Sequence, residues 1–420
     1  MKKLLYITSR VFWPTKSGHE VHIYNYCRIL SKIMGYKVDV YIIDNRTKVE
    51  TALDNKPPFI EQVFCGEKIS KVSIVDNLVK KSLVCKEHWP LQSCLYYSKN
   101  NCARLECLNT SNQYDVLFVD MVRLATYLNA FSNLPQLCVL DMGDILSKRY
   151  NRQIHNVSEE SNVGGAYTSG MSSFLRLLLK TKLIQKMILE IESKLMSTSE
   201  LFWAERYNRV ILVSSVETEE LNSQLSKPKA VTVHVGIDSE YYGSKQDIAR
   251  EEGYVSFVGD MCTSANSDTV SYIVNDILPL CTNVKKILFI GKCPDNLQTL
   301  YKDDSRVQFV GMVDDIRSEI QSTSVFLAPM AYGTGIKIKI IEAMALGMAV
   351  VTNPIGAEGI PGVNGVHWFV GKTNQEIAEY VDELLKNDEE CIDMGTKAKK
   401  LVDSYFSLDA SAKAFTTAGL

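Results

Sequence analysis

Short runs rich in Val, Ile and Leu recur along the chain, bounded by turn-forming residues and separated by segments whose apolar positions follow a helical period. Such runs predict strands buried on both faces, and their alternation with helical segments predicts repeated βα units around parallel sheets. One series lies at 4–8, 38–43, 116–119, 137–141 and 210–213, and a second at 255–258, 287–290, 307–310, 325–328 and 349–352. Between them come a polar connection at 222–229 containing Pro228, the segment Val231-Thr232-Val233-His234-Val235-Gly236-Ile237-Asp238, and a loose stretch to Gly253, where we place a domain junction. At 420 residues the chain exceeds the roughly 250–300 residues at which single cores stop growing. The pattern therefore predicts an α/β protein with domains at 1–228 and 229–400. A helical period covers 374–401, and residues 401–420 read as a tail packing back on the first domain.

Residues 151–173 break the rhythm: they are polar, hold Gly164-Gly165 and Gly170, and predict a long loop. The following segment, 174–188, is apolar on one broad side and basic on the other. It reads either as a core helix with a solvated basic face or as a helix lying on a membrane surface. No segment reaches the roughly 20 apolar residues of a membrane span, and the apolar run at the N-terminus stops at Thr8-Ser9-Arg10, so it reads as a buried first strand rather than a signal peptide.

A net charge of -3 gives no global attraction to nucleic acid. The 11 cysteines contain no CxxC pair and read as buried thiols in a reducing compartment. His19, His22, His88, His155, His234 and His367 show no metal-ligand spacing, so no metal is expected. The minimal motifs of serine hydrolases, P-loop enzymes and dinucleotide dehydrogenases are missing from the sequence.

The densest chemistry lies in Pro329-Met330-Ala331-Tyr332-Gly333-Thr334-Gly335-Ile336-Lys337-Ile338-Lys339-Ile340-Ile341-Glu342-Ala343-Met344-Ala345-Leu346-Gly347. It reads as strand end, glycine loop, helix and glycine stop. Glycines around Thr334 allow close approach of a ligand, and a helix starting at Gly335 would aim free N–H groups at an anion. At helical spacing Gly335, Lys339 and Glu342 share a face, while Ile336, Ile340, Ala343 and Gly347 share another that packs on a sheet. A cation for phosphate and an anion for hydroxyl groups then line one side; the alternative is a buried Lys339–Glu342 pair.

This run resembles the donor-site motif of retaining GT-B glycosyltransferases of family 4, in the subgroup written Gly-Thr-Gly, then Lys-x-x-Glu-Ala-Met-Ala-x-Gly. Weaker matches occur in the family's order along nearly the whole chain. Pro14-Thr15-Lys16-Ser17-Gly18 is similar to the loop that closes over the donor diphosphate. Asp141-Met142-Gly143-Asp144-Ile145-Leu146-Ser147 is similar to an Asp-rich strand end, Gly236-Ile237-Asp238 to the junction turn, and Phe257-Val258-Gly259-Asp260-Met261 with Asn266 to the opening of the second domain. Thr334 stands where the broad family usually carries a glutamate, and no Arg or Lys lies between Gly259 and Asp276, where many members place both.

The resemblance implies a GT-B fold, two Rossmann-like domains with parallel sheets facing a central cleft, the first on the acceptor side and the second binding a nucleotide sugar. It implies transfer from a nucleoside-diphosphate-sugar to a hydroxyl of a glycan or lipid-linked glycan, with retention through front-face substitution. The setting would be polysaccharide or glycoconjugate assembly in the cytoplasm, with contact at the inner membrane face as an open alternative. Donor-binding residues on this reading are Ser17, Gly18, Gly259, Asn266, Val313, Thr334, Gly335, Lys339 and Glu342, with Lys337 in reserve. Lys339 would stabilise the leaving group, and Asp120, Asp141 or Asp144 would orient the acceptor or act as base; Tyr96, Tyr97, Arg149 and Tyr150 are candidates for the acceptor side. The rival readings are a non-catalytic subunit of the same fold and a UDP-sugar epimerase.

Overall fold

The computed structural model describes residues 1–15, 17–43, 55–83, 89–155, 182–243, 248–333 and 335–420. It divides into two units, one formed by Met1–Asn151, Ile188–Gly236 and Leu408–Leu420, the other by Arg152–Met187 and Ile237–Ser407.

The first unit carries seven parallel strands: β1 (Lys3–Thr8), β2 (Lys37–Ile42), β3 (Val63–Cys65), β4 (Val116–Asp120), β5 (Leu137–Gly143), β6 (Arg209–Leu212) and β7 (Ala230–Thr232), in the order β3-β2-β1-β4-β5-β6-β7. Every residue of β4 is buried, as are the last five of β1 and β2, which is why these strands lack polar alternation. One face packs Leu4, Tyr6, Val38, Val40, Val116 and Phe118. Phe415, from the helix Leu408–Thr417, closes that layer with its ring 4.8 Å from Tyr26. Burying a side chain of this size stabilises by roughly 1.5–3 kcal/mol. Ser411 and Ala418 tie the same segment to the unit: Ser411 Oγ donates to the His234 carbonyl at 2.8 Å, and Arg209 Nε to the Ala418 carbonyl at 3.0 Å.

The second unit has six parallel strands: β8 (Tyr254–Val258), β9 (Lys286–Ile290), β10 (Val307–Gly311), β11 (Val325–Ala328), β12 (Ala349–Thr352) and β13 (Phe369–Val370), in the order β10-β9-β8-β11-β12-β13. Its core joins Val255, Phe257, Phe289 and Phe326 to Ile340, Ala343 and Met344 of the helix Ile338–Ala345. The helix Asn374–Lys386 and the helix Asp388–Tyr405 complete this unit. Gly395 is where the latter helix meets the turn after Ala345, and a Cβ there would fall 1.9 Å from the Gly347 carbonyl oxygen.

All ten strands expected from hydrophobic runs are present; β3, β7 and β13, of two or three residues each, are additional. Residues 156–181, which hold most of the loop expected at 151–173 and the start of the amphipathic segment, lie outside the described residues, while 151–155 close the helix Leu146–His155. The helix Lys182–Arg206 takes up the end of that amphipathic segment, and it leaves Leu183 and Met187 exposed rather than in a core. Among the described residues no helix is long and apolar enough to cross a membrane.

Candidate functional site

In the second unit the strand order reverses between β8 and β11, which lie side by side. In open parallel sheets ligands bind beyond the carboxyl ends of the strands at such a point. Gly259 follows β8 there, and the glycine loop leading to the helix Ile338–Ala345 follows β11. Gly259 is bare because its surroundings require it: a Cβ would lie 2.8 Å from Asn266 Nδ2 and 2.9 Å from Lys339 Nζ.

Asn266, on the helix Ser264–Tyr272, donates through Nδ2 to the Asp260 carbonyl at 2.9 Å and accepts at Oδ1 from Lys339 Nζ at 2.7 Å. The same ammonium lies 4.1 Å from the centre of the Phe257 ring. Burial lowers Lys339 to about 7; Glu342 works against that shift and Lys337 adds to it. Asn266 thus takes one of three N–H donors of a partly desolvated cation, and an added anion would restore the charge that burial disfavours.

Glu342 is buried and accepts from the Tyr242 hydroxyl at 2.7 Å. Burial raises its carboxyl above the usual range, with the Tyr242 hydroxyl and Lys339 pulling it back. Lys339 and Glu342 therefore hold different partners, Asn266 and Tyr242, rather than forming the (i, i+3) pair that the sequence also allowed.

The helix does not start at Gly335. Gly335 has φ +65° and Gly333 φ +145°, values outside a right-handed helix, and the helix runs Ile338–Ala345. Its first N–H groups, those of Ile338 and Lys339, precede the Ile340 N–H that bonds the Lys337 carbonyl at 2.9 Å. Lys337 is buried and turned back, Nζ donating to the Gly335 carbonyl at 2.5 Å. Val313 is half-buried against the core of this unit. Thr334 lies outside the described residues.

In the first unit the order reverses between β1 and β4, and the carboxyl ends of β1, β4 and β5 bound a cavity of about 300 Å³. Thr8 Oγ1, at the end of β1, donates to Asp120 Oδ2 at 2.9 Å, and His19 Nε2 lies 3.2 Å from Asp120 Oδ1. Burial works to raise the Asp120 carboxyl, but His19, Arg123 and the Thr8 hydroxyl outweigh it and hold it at about 2. A carboxylate this acidic orients hydrogen-bond donors well and is a poor proton acceptor near neutral pH. One turn beyond His19 on the helix Gly18–Arg28, His22 Nε2 lies 2.7 Å from Asp141 Oδ2. Burial opposes its charge, yet Asp141 raises the imidazole above its ordinary value. Asp144 pairs with Arg149.

Ser17 lines this cavity together with Asp120 and Asp144; its Oγ accepts from the Glu20 N–H at 3.4 Å and caps the helix Gly18–Arg28, which Gly18 opens. The structure thus gathers Gly259, Asn266 and Lys339 into one contact set in the second unit and Ser17, Asp120 and Asp144 around one cavity in the first. The sequence reading missed Tyr242 as the partner of Glu342, and His19 and His22 as partners of Asp120 and Asp141. The signal for the histidines was their (i, i+3) spacing just after the Ser17-Gly18 turn. Among the described residues no group of three or more His, Cys, Asp or Glu side chains is placed to hold a metal ion.

Residues 252–387 match the family described as glycosyl transferases group 1, a span that includes Gly259, Asn266, Val313, Thr334, Gly335, Lys339 and Glu342. No curated protein is similar enough in sequence to match. Among solved structures the chain is similar to Alr3699/HepE of Anabaena in complex with UDP and glucose, at 16% identity over 100% of both chains with a TM-score of 0.64. It is also similar to a TarM variant of S. aureus in complex with Fondaparinux, α-GlcNAc-glycerol and UDP, at 10% identity over 100% of this chain and 99% of that one with a TM-score of 0.68. A third is the sucrose-phosphate synthase of Thermosynechococcus elongatus, at 13% identity over 99% and 98% with a TM-score of 0.65. At these identities the likeness is one of fold, and the fold is GT-B: two α/β units, each around a parallel sheet. Fold and family match together support a glycosyltransferase.

Proposed function

We propose that this chain transfers a sugar from a nucleoside-diphosphate-sugar to a hydroxyl acceptor with retention at the anomeric carbon, in the assembly of a polysaccharide or glycoconjugate. The observation that carries the reading is the Gly259–Asn266–Lys339 set, beyond the strand ends at the order reversal of the second sheet and inside the span that matches glycosyl transferases group 1. Lys339 and the first N–H groups of the helix Ile338–Ala345 hold the diphosphate and stabilise the charge it gains on leaving. Glu342, oriented by Tyr242, accepts from hydroxyl groups of the donor. Backbone N–H groups around Thr334 take the place of the family's usual glutamate. Asp120 and Asp144 orient the acceptor, and the departing phosphate takes its proton, so the reading uses no metal.

Leu183 and Met187, exposed beside Lys186, support peripheral contact with a membrane. Neutralising Lys180, Lys182 and Lys186 should then reduce flotation with anionic vesicles, and unaltered partitioning would remove this part of the reading.

The functional test is a thermal-shift screen against UDP, GDP, dTDP, CMP and their sugar conjugates, because a ligand of the native state raises apparent stability. UDP comes first, since it is present in the HepE and TarM complexes. A rise with one nucleoside diphosphate and its sugar is the expected result. No rise with any of them, in folded protein, would favour a non-catalytic subunit; sugar interconversion without an acceptor would indicate an epimerase.

A further inference from the structure

The charged groups around the first-unit cavity are not evenly paired. Its acids are Asp120, Asp141 and Asp144, and each already faces a partner: His19, His22 and Arg149 respectively. Two further guanidinium groups, Arg10 and Arg123, line the same cavity. Both are half-buried, and among the described residues neither forms an ion pair with a carboxylate.

Arg123 is held by weak partners. One terminal nitrogen lies 2.7 Å from Met121 Sδ, the guanidinium lies 5.1 Å from the centre of the Tyr96 ring, and Nε is buried without a hydrogen-bond acceptor. A buried guanidinium nitrogen without an acceptor is costly, and Asp120, on whose carboxyl Arg123 acts through space, already faces Thr8 and His19, so Arg123 keeps donors for a further anion. The backbone supports this view. Met121, between Asp120 and Arg123, has φ +66° and ψ 144°, a region that side-chain-bearing residues rarely enter, and strain of this kind concentrates where side chains are held for a ligand.

We propose that this cavity binds a phosphate or carboxylate group carried by the acceptor, with Arg10 and Arg123 supplying the donors. Arginine's planar fork suits either anion. The cavity's volume admits such a group with part of a sugar or a glycerol unit, and Asp120 at its wall then accepts from a hydroxyl of the same molecule. The proposal rests on the glycosyltransferase reading and specifies the acceptor as an anionic one.

Full-length protein, wild type and the variants Arg10→Gln and Arg123→Gln, is titrated by calorimetry with glucose 6-phosphate, glycerol 3-phosphate, glucuronate and uncharged glucose, and separately with nucleoside diphosphates. At least one anionic probe should bind wild type where glucose does not. Each variant should weaken that probe about tenfold or more, with Arg123→Lys intermediate and nucleoside-diphosphate affinity unchanged. Failure of every anionic probe to bind wild type would overturn the proposal. So would equal weakening of the nucleoside diphosphate, which would assign the arginines to the donor. If the anionic probes bind while no nucleoside diphosphate does, the anion site stands and the transferase reading falls. Circular dichroism of each variant separates lost binding from lost folding.

Discussion

Lys339 Nζ donates to Asn266 Oδ1 at 2.7 Å, across the backbone of Gly259, whose missing side chain leaves room for both groups. The helix after β8 and the helix after β11 thereby place one cation at the reversal point of the second sheet.

If that cation meets the diphosphate, Lys339→Ala should lower turnover by about 10²–10³, roughly 3–4 kcal/mol, as for loss of a donor to a developing oxyanion. Steady-state kinetics on a folded variant check this, and near-wild-type turnover would remove Lys339 from that role.

The lysine also sets a pH dependence. Burial holds it at about 7, so it loses its charge as pH rises through that value, and affinity for a nucleoside diphosphate should fall between about pH 6.5 and 8.5. The anion raises the lysine's pKa, so binding near pH 8 should take up protons, visible as a dependence of calorimetric heat on buffer. Lys339→Arg keeps its charge throughout and should flatten the profile. A profile shared by wild type and Lys339→Arg would count against the assignment.

Gly259→Ala tests the geometry without removing any charge. The new methyl group would sit 2.9 Å from Lys339 Nζ and 2.8 Å from Asn266 Nδ2, so the pair must separate. Nucleoside-diphosphate affinity should fall about tenfold or more, equivalent to about 1.4 kcal/mol or more. Unchanged affinity would mean that the Lys339–Asn266 bond is not needed for binding.

Glu342→Ala should weaken binding of the whole nucleotide sugar by about 1–3 kcal/mol, the range for a charged hydrogen bond, and affect the free nucleoside diphosphate less. Tyr242→Phe should act in the same direction by a smaller amount, since it removes only the hydroxyl that orients the carboxylate. Equal effects on the two ligands would place Glu342 away from the sugar.

Asp120 makes a prediction about stability. Its carboxyl is at about 2 in the native state against an ordinary value of 3.8, so the native state favours the ionised form. The resulting contribution, on the order of 2 kcal/mol, is present above about pH 4 and lost as pH falls toward 2. Denaturant unfolding should show Asp120→Asn losing less stability than wild type over that window. Parallel acid profiles would contradict the described environment of Asp120.

How much of this was readable in advance depended on distance along the chain. The long strands declared themselves because burial on both faces leaves β1, β4 and their counterparts with nearly unbroken apolar runs. β13 has two residues and β3 and β7 three each, too few for any period. Lys339 and Glu342 were legible because they share one helix with the glycine loop before it. Their partners were not: Tyr242 lies 100 positions from Glu342, and Asn266 lies 73 from Lys339. The His19–Asp120 and His22–Asp141 contacts span 101 and 119 positions and exist only because strand order brings β1, β4 and β5 together. The helix start was misplaced because glycine spacing does not reveal that Gly335 takes a positive φ.

The most direct test of the central claim is calorimetric titration of wild type and Lys339→Ala, side by side, with UDP, GDP and dTDP. The account predicts that one of these binds wild type and binds the folded variant at least about tenfold more weakly. A wild-type protein that binds none of them, or a variant that binds as tightly as wild type, would contradict it.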